Sequence, residues 1–425
     1  MTTLSRRTFL AGSGTVATFG LVTSFGTSLT LAAPGVPSDG DVLVVLFLNG
    51  GADGLALTPP LRDPAYYDLR PRLGIPQPGQ ANGSLPLRNN GKVRFSSGFD
   101  GAFGLHPAAK PLYDGLWADG KLAFIPAAGF KDTTFSHFTA VQNGQRGSLS
   151  LGVGGGWLGR MTNAQGGPGP VPSVSRGRGT LAGGTGTMGV IPSLGMFKGG
   201  VFNGPRKDAL LASYAGGDSV SATGRRLLNL ADRFAELEHG LRDGYTDHKL
   251  RNRSHGYGLS FSELASLLKA DPPLGIRAAG IELGRWDHHE ALGLPGDTQG
   301  NFHSLVTAMS DAIQRFAEET NGLQGITLVV TSEFGRTSNE NGNLGTDHGE
   351  GYTMMVAGAG IRGGVYGDDF PDSIALPPGA RRGTLPIATD YRKPITEVIR
   401  KRVKLANTSS VFPDFTQSGS DLGIA

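Results

Sequence analysis

The chain has 425 residues, no cysteine, and 39 basic against 36 acidic residues, which gives a formal net charge of +3. A balance this close to neutral excludes strong electrostatic attraction to nucleic acid. The absence of cysteine excludes disulfides, thiolate metal ligands and a cysteine nucleophile.

The amino terminus has the layout of a twin-arginine export signal. The sequence Ser5-Arg6-Arg7-Thr8-Phe9-Leu10 precedes an apolar stretch, at about 11–33, that contains no Asp, Glu, Lys or Arg. This layout favours a signal over an ordinary amphipathic first helix. Its glycines and hydroxyl residues make it too weakly hydrophobic for a stable membrane span, so we interpret it as cleaved near Ala33 or loosely anchored. The signal predicts the twin-arginine translocase as a partner and a periplasmic or secreted location.

Residues 34–425 are predicted to form one large domain. Removing residues 1–33 leaves 37 basic and 36 acidic residues, a net charge of about +1. A chain of this length has room for two average domains, but no long linker divides it. One α/β domain with insertions is therefore the simpler interpretation.

Short apolar runs alternate with helical patterns along this domain. Five runs rich in Val, Ile, Leu or Phe predict buried strands, at 41–48, 122–127, 276–283, 326–331 and 352–357. Apolar residues three and four positions apart predict helices, at 222–241, 261–268 and 302–316, with a basic helix at 394–403. The strand, helix, strand order predicts an α/β fold with a mostly parallel central sheet flanked by helices.

A glycine-rich segment interrupts these patterns at about 144–204. Clustered glycines such as Gly154-Gly155-Gly156 disfavour a long helix there because of their backbone entropy. Trp157 and Leu158 provide apolar anchors that a pure linker lacks. We therefore predict an irregular insertion over one edge of the sheet, with disorder as the alternative.

Polar side chains follow the predicted strands, where an α/β sheet collects its reactive groups. They are Asp53, Ser136 with His137, Asp287 with His289, Arg336, and Asp347 with His348. Singly, each is as well explained as a turn, cap or hydrogen-bonded residue. Together, the carboxylates and imidazoles favour a divalent metal, Zn, Mn or Fe(II) before Ca or Mg. A buried hydrogen-bonded network is the alternative.

Two common enzyme signatures are absent from the sequence. No Gly-x-Ser-x-Gly elbow occurs, which disfavours an α/β-hydrolase triad. No Gly-x-x-x-x-Gly-Lys-Ser/Thr loop occurs either, and no glycine run follows a strand in a dinucleotide-binding arrangement. Nucleotide use is therefore disfavoured.

Five sequence blocks resemble one family in their order. They are Asn49-Gly50-Gly51-Ala52-Asp53-Gly54-Leu55, Ser136-His137-Phe138, Trp286-Asp287-His288-His289, Ser332-Glu333-Phe334-Gly335-Arg336-Thr337 and Gly345-Thr346-Asp347-His348-Gly349. The chain resembles the domain of unknown function 1501 family, which is similar to the alkaline phosphatase and sulfatase superfamily. That resemblance implies an alkaline phosphatase or sulfatase-like fold and one or two divalent metals.

The resemblance also implies roles for particular residues. Asp53 would take the place of the first-strand metal carboxylate, and Asp347 with His348 that of the late metal-binding pair. Asp287 and His289 would hold a second ion. Ser136 is nearest to the nucleophile position, and His137 fits either a catalytic or a ligand role. No His follows His348, so the third late imidazole of two-metal phosphatases is missing, and His106, His137 or His303 would have to replace it.

The predicted function is metal-dependent hydrolysis of phosphate or sulfate esters, on a small molecule or a polymer. The metal would polarise an ester oxygen and activate Ser136 or a water for attack. Arg336 would stabilise the developing anion, or else form a salt bridge with a loop acid. The alternatives are a non-catalytic protein that uses the same pocket for ligand binding or envelope assembly, and a plain structural protein.

Overall fold

The structure is a computed structural model that describes residues 26–31, 39–87, 93–94, 102–131, 134–165, 173–174, 181, 190–191, 194, 204–250, 253–270, 273–376 and 383–425. Its strands are, in chain order, β1 (Gly26–Leu31), β2 (Val42–Leu48), β3 (Leu85–Pro86), β4 (Val93–Arg94), β5 (Gly104–Leu105), β6 (Leu122–Gly129), β7 (Ser173–Val174), β8 (Val190–Ile191), β9 (Lys249–Leu250), β10 (Arg253–Ser254), β11 (Ile276–Leu283), β12 (Ile326–Ser332), β13 (Gly335–Arg336), β14 (His348–Gly349), β15 (Tyr352–Gly358), β16 (Gly364–Tyr366) and β17 (Thr389–Asp390).

Helices cover both faces of the central sheet. The α-helices are α1 (Gly54–Leu57), α2 (Pro64–Leu69), α3 (Lys110–Leu112), α4 (His137–Arg146), α5 (Trp157–Ala164), α6 (Pro205–Ser213), α7 (Ser219–Glu236), α8 (Tyr257–Leu268), α9 (Asn301–Glu319) and α10 (Arg392–Lys401). A 3₁₀ turn at Pro107–Ala109 and a π turn at Tyr113–Trp117 flank α3. No helix in the described part of the chain has the length and apolarity to cross a membrane.

Within the described residues, eleven strands form one mixed sheet. Its order is β4-β16-β6-β15-β12-β2-β11-β1-β7, with β17 beside β6 and β8 beside β1. The central strands β11, β2 and β12 are parallel. Strand β15 runs antiparallel to β12 and β6, and β1 runs antiparallel to β11. The prediction of an α/β fold with a mostly parallel sheet is confirmed.

Strand β2 is apolar along its whole length because both of its faces are buried. Val44 and Leu46 contribute to the core that α8 and α9 cover, where Phe261 and Phe316 lie 5.3 Å apart between ring centroids. Leu43 and Val45 contribute to the opposite core, which α5 and α10 cover. Because successive side chains of a strand point to opposite faces, a strand buried on both sides needs an unbroken apolar sequence.

The carboxyl ends of the three central strands are level with one another. Leu48, the last residue of β2, pairs with Leu283 of β11 and with Ser332 of β12. The loops that follow these strands therefore leave the sheet side by side at one edge. This register brings together sequence segments that lie hundreds of residues apart.

The five predicted strands occur as β2, β6, β11, β12 and β15, each within two residues of its predicted bounds. The predicted helices occur as α7, α8, α9 and α10. Most of the glycine-rich segment lies outside the described residues, but α5 within it is a regular helix with Trp157 and Leu158 buried. Of the predicted signal at 1–33, residues 1–25 and 32–33 also lie outside the described part, and residues 26–31 form β1 beside β11. The export signal stays a prediction.

Candidate metal centre

Three imidazoles and one carboxylate converge above the level strand ends. His137 is the first residue of α4, Asp287 and His289 follow β11, and His348 begins β14. His137, Asp287 and His348 each offer one ligand atom, and these atoms lie within 4.8 Å of one another. Histidine and aspartate in this number are the ligand types of zinc and related divalent ions.

Several distances between the potential ligand atoms are close to those around a single small cation, and His289 lies beside the three-residue group of His137, Asp287 and His348. Asp287 Oδ1 lies 3.1 Å from His289 Nε2 and 3.3 Å from His348 Nε2. Asp287 Oδ2 lies 3.4 Å from His137 Nε2, and the Nε2 atoms of His289 and His348 are 2.9 Å apart. Bonds of about 2.0–2.1 Å in a tetrahedral zinc site would place neighbouring ligand atoms about 3.3 Å apart.

The second nitrogen of each imidazole faces an oxygen that can only accept a hydrogen bond. His137 Nδ1 lies 2.9 Å from a Glu333 carboxylate oxygen, and His289 Nδ1 lies 3.0 Å from Asp347 Oδ1. His348 Nδ1 lies 2.8 Å from the backbone carbonyl of Phe135. With a proton on each Nδ1, each Nε2 would present a lone pair toward Asp287. Metal-binding histidines in proteins are oriented in this way.

The point where these side chains converge suits a positive charge. If both Nε2 atoms at 2.9 Å are unprotonated, with the Asp287 carboxylate beside both, they repel one another unless a cation or a proton lies between them. His137 Nε2 is buried and has no hydrogen-bond partner among the described residues. A proton shared between two rings relieves one contact, whereas a divalent cation satisfies all four side chains together.

Arg336 holds the segments of this centre together. It is 1% exposed and lies opposite His348 in the β13–β14 ladder. Its guanidinium donates to Asp287 Oδ1 at 2.6 Å, to the carbonyl of Gly51 at 2.8 Å, to that of Thr346 at 2.9 Å, and also to that of Gly50. With its N–H groups turned to these partners, Arg336 positions Asp287. The expectation that it binds a substrate anion is therefore corrected.

Two glycines allow the first loop to approach closely. Gly50 and Gly51 have φ of +122° and +73°, conformations that side chains disfavour. A Cβ at Gly50 would lie 2.5 Å from the backbone nitrogen of Asp287, and one at Gly51 would lie 2.5 Å from the Phe334 ring. The Gly50 N–H also donates to Glu333 at 2.7 Å, so this loop helps to orient the partner of His137.

The local charges keep Asp287 ionised. Partial burial raises its pKa, but the hydrogen bond and charge of Arg336, with His137 and His289, lower that pKa to about 2. The hydrogen bond to Glu333 raises the pKa of His137, whereas burial and the charge of Arg336 lower the pKa of His348. At neutral pH the carboxylate is therefore an anionic ligand.

Asp53, predicted as a metal ligand, lies outside this cluster, among hydrogen-bond donors of the protein. It is 2% exposed and forms the N-cap of α1, where Oδ1 accepts from Ala56 N at 2.9 Å. Arg70 donates to the same oxygen at 2.9 Å, and the Thr346 hydroxyl donates to Oδ2 at 3.0 Å. Protein donors therefore engage both oxygens of Asp53.

The remaining predicted site residues lie next to the cluster or away from it. Asp347 orients His289 through Nδ1, so it lies one step behind the imidazole instead of among the four converging side chains. Ser136 is the exposed N-cap residue of α4, and its side chain makes no capping bond. His106 is buried beside His303, with ring centroids 5.5 Å apart, so of the three suggested replacements only His137 joins the cluster.

Glu333 is the main residue that sequence reasoning left without a role in this centre. Its side chain is fully buried, and it bridges His137 and the Gly50 backbone. A carboxylate directly after a buried strand was the available signal, because burying an acid requires specific partners.

Comparison with known proteins gives one match. A family model described as "Protein of unknown function (DUF1501)" matches residues 268–374. Over this segment the chain resembles that family. The segment includes β11, α9, β12 and the β13–β14 ladder, and hence all of the converging residues except His137. No curated protein and no solved structure matches the chain.

Proposed function

We propose that the protein is a metal-dependent hydrolase that holds a divalent cation on His137, Asp287, His289 and His348. The convergence of three oriented imidazole nitrogens on one carboxylate carries this proposal. The mixed nitrogen and oxygen ligands favour Zn, Mn or Fe(II) over Ca or Mg.

The proposed substrates are esters of phosphoric or sulfuric acid. A divalent cation at such a site supplies Lewis-acid polarisation of an ester oxygen and lowers the pKa of nearby water. Other residues of the chain orient the proposed ligands and supply a nucleophile. Glu333 and Asp347 fix the rings of His137 and His289, while the exposed Ser136 hydroxyl is available next to His137 as a nucleophile.

Exposure of the ligands supports catalysis over a closed structural site. Asp287 and His289 are 45% and 44% exposed, so a substrate can reach them from solvent. The second candidate function, non-catalytic ligand binding, has its own support. Four protein ligands fill a tetrahedral shell, and catalytic zinc sites usually keep one position open.

Metal analysis and ester hydrolysis test the proposal together. The protein is purified without added ions, its metal content is measured, and it is assayed with 4-nitrophenyl phosphate and 4-nitrophenyl sulfate. We expect about one metal per chain and hydrolysis of at least one ester. His348→Ala should lose both, while His239→Ala, an imidazole outside the cluster, should keep both.

Two results would contradict the proposal in different ways. Absence of stoichiometric metal, with no gain on adding Zn²⁺ or Mn²⁺, would remove the metal site. A tightly bound metal without hydrolysis of either ester would favour the non-catalytic candidate.

We also propose that the protein is exported by the twin-arginine translocase to the periplasm or beyond. The support is the paired Arg6 and Arg7 before an apolar stretch without acids. Arg6→Lys/Arg7→Lys should leave the precursor in the cytoplasm on fractionation. Normal periplasmic levels of this variant would contradict the assignment.

A further inference from the structure

A cavity of about 580 Å³ opens beside the candidate metal centre. Asp287 belongs to its lining, so the cavity and the centre share a wall. The other lining residues are Leu250, Arg253, His255, Arg285, His288, Asn301 and Leu305. The lining therefore combines two guanidinium groups and two imidazoles with a single carboxylate.

Neither arginine of the cavity has a carboxylate partner among the described residues. Arg253 is exposed on β10, and Arg285 is half-buried in the turn after β11. Arg285 Nη1 donates to His255 Nδ1 at 3.2 Å and points toward the Arg253 carbonyl at 3.4 Å. Both side chains line the cavity, and two positive charges in one cavity favour an anionic occupant.

His255 keeps the arginine pair from gaining a third positive charge. Burial and the charge of Arg285 lower its pKa to about 4, so it is neutral at pH 7 and accepts from Arg285. Its other nitrogen faces the Ser304 hydroxyl of α9 at 2.8 Å, which fixes the ring. His255, fixed by Ser304, therefore orients the guanidinium of Arg285.

Two further features of the cavity favour a polar, anionic occupant. His288 is 6% exposed, and its Nδ1 is buried without a hydrogen-bond partner. Helix α9 begins at Asn301 on the cavity wall, and no side chain caps its amino terminus. The start of a 19-residue helix carries a partial positive charge. The carboxylate of Asp287 is already paired with Arg336.

We propose that the cavity binds an oxyanion group on the non-reacting part of the substrate, held by Arg253 and Arg285. The substrates would then be acidic esters, with a carboxylate, sulfate or phosphate in addition to the group at the metal centre. The substrate part of this inference rests on the proposed function. Anion binding in the cavity does not, because Arg253 and Arg285 are not among the proposed metal ligands.

Sulfate binding by chelator-treated protein tests the cavity without the metal. The dissociation constant for inorganic sulfate is measured by calorimetry at constant ionic strength. Arg253→Gln and Arg285→Gln should each weaken binding at least about tenfold, because each removes a charge-assisted hydrogen bond. Lys249→Gln, exposed on the same β9–β10 ladder but outside the cavity lining, should change binding less than about twofold.

The outcomes separate this inference from the proposed function. Equal weakening by Lys249→Gln, or none by the arginine variants, would overturn the cavity site. If Arg285→Gln does not fold, Arg253→Gln decides, since Arg253 is exposed. Ester hydrolysis with an unchanged KM for acidic esters in Arg253→Gln would overturn the substrate assignment alone. Selective sulfate binding in a protein that hydrolyses no ester would support the cavity and contradict the hydrolase.

Discussion

Two aspartates near the ends of neighbouring parallel strands have opposite environments. Asp53 follows β2, is 2% exposed, and receives hydrogen bonds from Arg70, Thr346 and a backbone N–H. Asp287 follows β11, is 45% exposed, and faces three imidazole nitrogens, with Arg336 against one of its oxygens. Protein donors engage both oxygens of the first carboxylate, whereas the second lies among groups that suit a metal ion.

The comparison shows that residue type and position alone do not determine the role of an aspartate. Both acids occupy positions where α/β proteins place reactive groups. Their neighbours decide the role of each aspartate. Hydrogen-bond donors around a carboxylate satisfy its oxygens, whereas acceptors around it favour the binding of a cation. Three predictions test this difference, and they run from the largest expected effect to the smallest.

Asp53→Asn should destabilise the fold without emptying the metal centre. The substitution leaves Arg70 buried without its counter-charge, and breaking such a pair costs about 3–5 kcal/mol. Chemical denaturation would measure the loss in the free energy of unfolding. Metal content per folded molecule should stay at the wild-type value. A stable Asp53→Asn protein that has lost its metal would return Asp53 to the ligand set.

Chelation should remove the metal, and it should lower the stability of the fold by that route alone. A ligand that binds the folded state alone and is present at 100 times its Kd contributes about 2.7 kcal/mol. A chelator should therefore lower the Tm of the wild type, and adding Zn²⁺ or Mn²⁺ should restore it. His348→Ala should melt at one temperature under both conditions. Identical wild-type melting with and without chelator would count against the centre.

Asp347→Asn and Glu333→Gln should weaken metal binding by about 10–100-fold without abolishing it. Each carboxylate orients an imidazole through Nδ1 and does not face the ion directly. Competition with a chromogenic chelator would measure the change. Asp311→Asn is the matched control, because Asp311 contacts His248 outside the centre. Complete loss of metal in Asp347→Asn would show that Asp347 is itself a ligand.

The sequence predicted more of the fold than of the site. Runs rich in apolar residues located β2, β11 and β12, because strands buried on both faces need them. Level strand ends then made Asp287, His289 and His348 neighbours. Periodicity carries no information on which donors surround an acid. The side-chain partners of Asp53 lie 17 and 293 residues away, at Arg70 and Thr346.

The roles of two other residues depended on geometry that no local pattern contains. His137 becomes a ligand because α4 begins at that residue with its Nδ1 against Glu333. Arg336 resembled an anion-binding group, but the Gly50-Gly51 turn and Thr346 place carbonyl oxygens around its guanidinium. Its charge is therefore directed inward to Asp287.

Buried His106 should make the protein less stable in mild acid. Burial, with the charge of His303, lowers its pKa from 6.5 to about 3, and its Nδ1 accepts from Ala108 N. The folded state then binds fewer protons than the unfolded state below pH 6.5, so stability falls as the pH decreases toward 3. At pH 5.5 the loss from this group is on the order of 1 kcal/mol.

His106→Asn isolates that contribution. Asparagine keeps a capping acceptor for Ala108 but does not titrate. The variant should show a shallower decrease in the free energy of unfolding between pH 6.5 and 5.5, measured by denaturant titration at each pH. A slope equal to that of the wild type would mean that His106 is not held neutral by its surroundings.

The wide spacing of the four metal-binding side chains along the chain has a consequence for biosynthesis. Residues 137 and 348 are separated by more than 200 positions, so the unfolded polypeptide contains no local chelate that includes both. The four proposed ligands come together only after the parallel strands have assembled, so metal uptake at the proposed site would follow folding. A precursor carried across a membrane already folded would bring its metal from the compartment of synthesis, whereas a threaded chain would take whichever ion it met on the far side.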